Sequence, residues 1–200
     1  MADFEGQPIP ELAKLSVLAA ADDGEEENDT TWYPNGEATN KIYAGKFGGA
    51  SYVGAFRFKQ AFIPNNAKIA KAVLRLRLNG QISNPTNLKI RAVKEPSPNT
   101  FAGDGSDRPS TRTLTTAAVD WDFAQAPGTG WNVTGNWIAS PDIKAVIEEV
   151  LAQEEFDGKA VIITLEPDVD CPDNKLAPFY DSNEGQGFAA ELRLEFAPRV

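Results

Sequence analysis

The sequence predicts a mostly β protein, folded as an antiparallel β-sandwich with one amphipathic helix. Three segments alternate apolar and charged residues with a period of two: 70–78, 87–94 and 188–196. This alternation is typical of strands that cover a core on one face and meet solvent on the other. One segment, at about 140–156, instead repeats its apolar residues with helical spacing. At 200 residues the chain is long enough to bury one core as a single domain.

The clearest strand illustrates the pattern. Leu74 and Leu76 fall on one face of segment 70–78, and Arg75 and Arg77 fall on the other. Shorter or less regular apolar runs predict further strands, for a total of about nine. These weaker strands are expected at 14–20, 41–44, 52–59, 113–119, 131–138 and 159–165.

The helix is predicted from a stripe of apolar residues at positions i, i+3, i+4, i+7 and i+8. We expect Ser140 to cap its N-terminus, with Pro141 at the first helical position and Asp142 beside the positive end of the helix dipole. The pair Asp157 and Gly158 marks its end. The stripe consists of Ile143, Val146, Ile147, Val150 and Leu151.

The domain organisation is simple. Residues 1–13 contain two prolines and little pattern, so we expect an extended N-terminal arm, followed by a single β-sandwich domain over 14–200. Two long polar connections, 94–110 and 166–186, are rich in Pro, Gly, Asn and Asp. Loops of this length in a compact domain are usually functional.

Composition excludes several functions. The chain has 19 Lys+Arg, 29 Asp+Glu and no His, for a net charge of −10. Without His, catalytic relays and metal sites that depend on imidazole are excluded. The lone Cys171 forms no intramolecular disulfide. The acidic balance argues against nucleic-acid partners, and the absence of a long apolar run argues against a membrane partner.

Acidic residues suggest one candidate ion. The run 22–29 follows the first predicted strand, and a second acidic group lies within 166–173. Calcium binds six to eight oxygen ligands, often in loops of β-sandwich modules. The candidate ligands are Asp22, Asp23, Glu25 and Asp181. The alternative is a solvated acidic loop that aids solubility. We expect that the protein requires no cofactor, and calcium is the candidate ion that the sequence suggests.

Aromatic residues suggest a binding surface. Exposed rings stack on sugars and anchor protein interfaces. The candidates are Trp32, Tyr33, Trp121 and Trp131, with core packing as the alternative. Trp137, beside Ile138 and the helix start, is expected to be structural. The sequence shows no nucleophile elbow, phosphate loop or kinase signature, so we expect no catalytic residues and no enzyme activity.

Several short motifs follow one another in an informative order. They lie at 20–26, 52–58, 63–69, 72–76, 88–92, 112–121, 140–143 and 190–194. In this order the chain resembles, over roughly 14–197, the DNRLRE-type β-sandwich, a jelly-roll relative of alginate-binding carbohydrate-binding modules. Such domains occur in secreted polysaccharide-acting proteins and in phage virion proteins. The resemblance implies a jelly roll without catalytic machinery, and a structural ion near Asp22, Asp23 and Glu25.

Two functional hypotheses follow. The first is a bacteriophage virion structural protein, used for capsid decoration, as cement or as a fibre or adhesion protein. Its partners would be other virion proteins and further copies of itself, gripped by the 1–13 arm. The start of the sequence lacks the features of a signal peptide, so we expect synthesis in the host cytoplasm and assembly into the virion. The alternative is an extracellular carbohydrate-binding module that recognises a polysaccharide through exposed aromatics, with calcium in its acidic loops.

Overall fold

The computed structural model describes residues 12–34, 36, 40–59, 63, 67–124 and 130–197. Within these ranges it contains twelve strands and one α-helix, α1, at Lys144–Leu151. The strands are β1 Leu12–Ser16, β2 Asp23–Glu27, β3 Thr31–Pro34, β4 Lys41–Phe47, β5 Ala50–Lys59, β6 Ile69–Arg77, β7 Thr86–Ala92, β8 Val119–Phe123, β9 Trp137–Ala139, β10 Ala160–Pro167, β11 Lys175–Tyr180 and β12 Glu191–Phe196.

The strands form two antiparallel sheets. The smaller has the order β1-β12-β6-β9, and the larger has the order β11-β4-β5-β10-β7-β8, with β2 paired to β5 and β3 paired to β2. The first and last strands are neighbours, and the chain crosses repeatedly from one sheet to the other. The predicted mostly β sandwich with one amphipathic helix is confirmed.

The main core lies between the sheets, as the alternating strands predict. In β5 the rings of Phe56 and Phe58 are fully buried, and β6 contributes Leu74 and Leu76. Helix α1 adds its predicted apolar stripe, since Val146, Ile147, Val150 and Leu151 are buried. The outward residues of the three regular strands are partly or fully exposed in most cases.

The helix is shorter than the sequence predicts, and its start is corrected. Ser140 does not cap it: its hydroxyl accepts a hydrogen bond from the backbone N–H of Leu74 at 3.0 Å. Asp142 accepts from the N–H groups of both Ala72 (2.9 Å) and Lys144 (3.0 Å). These side chains therefore join the helix entrance to β6, and the first helical turn begins after them.

Three strands were not predicted, and two predicted strands are displaced. The structure adds β2, β3 and β11. In place of the strands expected at 113–119 and 131–138, it has β8 beginning at Val119 and β9 confined to Trp137–Ala139. β2 has the sequence Asp-Gly-Glu-Glu-Glu, which lacks the apolar alternation by which strands are recognised. β1 begins at Leu12, so an arm would end before it; residues 1–11 lie outside the described ranges.

A second, smaller core lies on the opposite face of the larger sheet. The rings of Trp32 and Phe101 lie in tilted contact, with centroids 4.4 Å apart, and pack on Ala55, Val93 and Ile162. Phe101 belongs to the long polar connection predicted at 94–110. We call residues 94–115, which include this connection and Leu114, the cover segment; it shields the outer core from water.

Candidate functional site

The acidic run is buried over residues 22–26, in strand β2 and the turn that precedes it, and is not a solvated loop there. The side chains of Asp22, Asp23, Glu25 and Glu26 are all 0% exposed. Burying a carboxylate is costly unless it is paired or hydrogen-bonded, so the partners of each explain the fold of this region. Gly24 lets the Trp32 indole pack directly on the backbone of β2, because a Cβ at this position would lie 2.6 Å from the ring.

Asp22 is neutralised by two cations. Arg57 Nη1 and Lys59 Nζ each lie 2.8 Å from its carboxylate oxygens, and Thr100 donates a hydrogen bond at 3.0 Å. Burial alone would raise the pKa of Asp22, but the hydrogen bonds from Lys59 and Arg57 hold it below its ordinary value. Asp22 therefore joins β5 to the cover segment as an ion pair.

Asp23 and Asp181 form a different pair. Asp23 accepts hydrogen bonds from the N–H (2.8 Å) and the hydroxyl (3.0 Å) of Ser182, and Asp181 accepts from the N–H of Asn183 at 3.0 Å. Burial, reinforced by the nearby Asp181 carboxylate, raises the pKa of Asp23 to about 8. Burial also raises the pKa of Asp181. Asp23 therefore keeps its proton to a higher pH than an exposed aspartate does.

The remaining carboxylates of β2 bind other elements. Glu25 accepts a hydrogen bond from the backbone N–H of Tyr43 in β4. Glu26 binds Arg108 Nε at 2.9 Å and the N–H of Ser110 at 2.8 Å, both in the cover segment. β2 is therefore a polar cross-link between β4, β5, the cover segment and the 181–184 turn.

These contacts bear on the calcium prediction. The carboxylate of Asp22 is directed to Arg57 and Lys59, whereas those of Asp23, Glu25 and Asp181 contact Ser182, Tyr43 and Asn183. Throughout the described ranges, no group of three or more Asp, Glu, Cys or His side chains is arranged to hold a metal ion. Calcium at these positions stays a prediction from the sequence, without an arrangement of described residues to support it.

Aromatic side chains meet in a surface groove between the two sheets. The groove lies between two edge strands: among the described residues, β8 pairs only with β7 and β9 pairs only with β6. Its volume is about 480 Å³. Trp131 stacks on Phe123 at 5.9 Å between ring centroids, and Phe123 packs on Trp121 at 5.0 Å. The aromatic lining consists of Trp121, Phe123, Trp131 and Trp137. We call this feature the aromatic groove.

The four aromatic residues predicted to bind a ligand therefore lie in two different places. Trp121 and Trp131 both line the aromatic groove, although Trp121 is only 6% exposed and forms part of its floor. The indole of Trp32 is 7% exposed and packs in the outer core, so it offers no open ring face. Tyr33 is half-buried and donates a hydrogen bond to Glu27 at 3.0 Å. Trp32 and Tyr33 thus pack and hydrogen-bond around β2, away from the aromatic groove.

Trp137 also lines the aromatic groove, although the sequence predicted a structural role for it. It points outward from β9, opposite Arg77 in β6, while its neighbour Ile138 enters the core. The guanidinium of Arg75 lies 4.9 Å from the Trp137 ring centroid. The sequence contains a signal for this position, because a tryptophan that faces outward from a strand is exposed unless something covers it.

Two acids lie on β8 beside the aromatic groove. Asp120 and Asp122 are exposed and alternate with the buried Trp121 and Phe123, so their side chains project from the opposite face of the strand. Burial raises the pKa of Asp122, and the carboxylates of Asp120, Asp170 and Asp168 raise it further.

Comparison with known proteins yields no match. No protein-family model matches this sequence, and no curated protein matches it either. The resemblance to DNRLRE-type and alginate-binding modules accordingly stays a prediction. Among the described residues, no helix is long and apolar enough to cross a membrane.

Proposed function

We propose that the chain is a non-enzymatic adhesion module that binds a polysaccharide in the aromatic groove. The observation that carries this proposal is the convergence of Trp121, Trp131 and Trp137 in one groove of about 480 Å³ at the open edges of both sheets. Ligand sites typically have volumes of about 300–1,000 Å³ and combine apolar surface with a few polar groups. Aromatic rings supply the apolar surface on which the C–H faces of sugars stack.

The groove also has the rigidity that such binding requires. Trp131 rests on Phe123, Phe123 rests on Trp121, and Trp121 stacks on Phe179 of the core at 6.5 Å. A ring that is already held in place loses little conformational freedom when a ligand binds, so more of the contact energy appears as affinity.

The carboxylate arrangement supports a binding role over hydrolysis. Most glycosidases place two carboxyl groups on either side of the scissile bond. Among the described lining residues of the aromatic groove, Asp122 is the only acid. The buried carboxylates of Asp22 and Glu26 are engaged by Arg57 and Arg108, respectively.

Affinity electrophoresis in gels containing different soluble polysaccharides tests this function. We expect retardation of the wild type by at least one polymer, and at least a tenfold weaker retardation constant for Trp131→Ala and Trp137→Ala. Phe47→Ala is the matched control, since Phe47 is a 55% exposed aromatic in β4 outside the groove. Equal retardation of all four proteins, or none by any polymer, would contradict the proposal.

A second candidate is the virion structural protein, with the module acting as a decoration, cement or fibre component. It is favoured by β1, a five-residue edge strand whose Leu12 is 55% exposed. Within the described ranges β1 has one neighbour, β12, and such an edge with an exposed leucine suits strand pairing with another chain or copy. Light scattering and sedimentation with capsids should then show association that Leu12→Lys abolishes and the exposed-loop control Val169→Lys preserves. A monomer that ignores capsids would count against it.

A further inference from the structure

Resting on the proposed polysaccharide-binding function, we propose that the aromatic groove selects neutral polysaccharides, whose hydroxyl groups bond to the open backbone edges of β8 and β9. The inference concerns the class of ligand. It is carried by the direction of the backbone N–H and C=O groups along these two edge strands, which follows from the register of the sheets. It departs from the polyanionic ligand of the alginate-binding modules that the sequence resembles.

The lining of the groove consists of strand edges as well as aromatic rings. It includes the consecutive residues 121–124 at the end of β8 and all three residues of β9, 137–139. Side chains of consecutive residues alternate between the two faces of a strand. A groove lined by every residue in turn, including the exposed Asp122 and Ala139, therefore meets the backbone along the open edge.

On β9 two residues direct their backbone groups away from the sheet. In an antiparallel pair, residues whose N–H and C=O bond to the partner strand alternate with residues whose groups point the other way. Ser140, directly after β9, donates its N–H to the Leu74 carbonyl of β6 at 2.8 Å. Trp137 and Ala139 hold the alternate positions, so their N–H and C=O groups point away from β6.

On β8 Asp122 is oriented in the same way. Asn87 of β7 lies opposite Asp122, but its carbonyl accepts from the N–H of Asp168 on the β10 side at 3.0 Å. The N–H and C=O of Asp122 therefore point away from β7. Its side chain projects from the face opposite Trp121 and Phe123, so Asp122 lines the groove through its backbone. Within the described ranges, no further strand covers either edge.

These open groups favour a ligand that both donates and accepts hydrogen bonds. Asp122, Trp137 and Ala139 each offer one N–H donor and one C=O acceptor. A ligand that covers them without pairing them loses affinity, because desolvated polar groups are left unsatisfied. A sugar hydroxyl both donates and accepts, whereas a carboxylate only accepts and an ammonium group only donates. Each charged group that reaches the edge would thus leave one kind of backbone group unpaired.

Cations near Trp137 are the competing source of selectivity. Arg75 lies over the Trp137 ring, 4.9 Å from its centroid, and shares the carboxylate of Glu191 with Lys14 and Arg193. All three cations contact Glu191 within 3.0 Å, but together they exceed its charge and would attract an anionic polymer. Salt separates the two kinds of recognition, because screening weakens exposed ion pairs and not hydrogen bonds between neutral groups.

Isothermal titration calorimetry with oligosaccharides of equal length provides the test. The neutral probes are oligomers of cellulose, mannan and amylose, and the charged probes are a mannuronate oligomer and, in a mildly acidic buffer, a glucosamine oligomer. We expect at least one neutral oligomer to bind at least about tenfold more tightly than both charged ones, with an affinity that changes less than about twofold as salt is raised. Its O-methylated form, which lacks hydroxyl donors, should bind at least about tenfold more weakly.

Proline substitutions test whether the backbone makes the contact. Asp122→Pro removes the outward N–H and should weaken binding of the neutral oligomer at least about tenfold, whereas Asp122→Ala keeps the N–H and should change it less than about twofold. Asp120→Pro is the matched control, because Asp120 has the same register on β8 but lies outside the groove lining. Strand edges tolerate proline where the N–H is unbonded, and circular dichroism checks each fold. If Asp122→Pro does not fold, the O-methylated oligomer decides the same question.

Failure of the inference and failure of the proposed function give different results. Equal or tighter binding of a charged oligomer, weakened by Trp131→Ala, would overturn the selectivity and leave polysaccharide binding in place. Equal affinities of folded Asp122→Pro and Asp120→Pro, or of the neutral oligomer and its O-methylated form, would do the same to the backbone contact. Binding of no oligomer, or binding that Trp131→Ala and Trp137→Ala leave unchanged, would overturn both the inference and the function.

Discussion

Asp23 illustrates how a single buried acid links stability to pH. Its carboxyl group is fully buried beside Asp181, and burial raises its pKa to about 8. In the unfolded chain the same group ionises near its ordinary value of 3.8. Between these two values the folded state holds a proton that the unfolded state has released. Rising pH therefore favours unfolding across this window.

This linkage predicts the behaviour of Asp23→Asn. From pH 5 to pH 7 the contribution of Asp23 to the free energy of unfolding should fall by up to about 1.4 kcal/mol per pH unit, and the amide variant should lack this contribution. Urea unfolding at several pH values measures the difference in slope between the two proteins. The exposed Asp29→Asn is the matched control. Identical slopes for wild type and Asp23→Asn would show that Asp23 does not titrate in this way.

At the scale of elements, the cover segment packs on the outer face of the larger sheet, opposite the face that packs on the smaller sheet. Thr100 and Arg108 reach the carboxylates of Asp22 and Glu26, and Phe101 fills the outer core against Trp32. Polar contacts to Asp22 and Glu26 and the apolar packing of Phe101 and Leu114 thus hold a long segment that has little regular secondary structure of its own.

The anchor can be tested by Phe101→Ala. Phe101 is 3% exposed, and removal of a buried phenylalanine ring costs about 3 kcal/mol or more. We expect this loss in chemical denaturation, together with faster hydrogen exchange over 94–115 at conditions where β6 and β12 remain protected. Phe47→Ala, at an exposed position, should shift stability by less than about 0.5 kcal/mol. An unchanged exchange rate over 94–115 would mean that other contacts hold the segment.

The elements that could be predicted are those that carry their own signal. β6, β7 and β12 alternate apolar and charged residues, and α1 has its apolar stripe, so local sequence is sufficient for them. β2 could not be predicted, because its carboxylates are satisfied by groups that are distant in sequence, such as Arg108 for Glu26 and Ser182 for Asp23. The helix start was misplaced because Ser140 and Asp142 can bond either to a helix terminus or to a neighbouring strand, and here they bond to β6.

At the scale of the whole molecule, the candidate site is a product of sheet pairing. Trp121 reaches the groove because β8 is the edge of the larger sheet, and Trp137 reaches it because β9 is the edge of the smaller one. The sequence identifies Trp121 and Trp131 as candidates by residue type alone. Their convergence with Trp137, and the separation of Trp32 and Tyr33 from them, depend on pairings between strands far apart in the chain.

The most direct test of polysaccharide binding in the aromatic groove is an NMR titration that follows the indole N–H signals of the four tryptophans. On addition of a soluble polysaccharide that retards the wild type in affinity gels, the account predicts that the signals of Trp131 and Trp137 shift together while that of Trp32, buried in the outer core, stays in place. A shift centred on Trp32, or no shift with any polysaccharide, would contradict it.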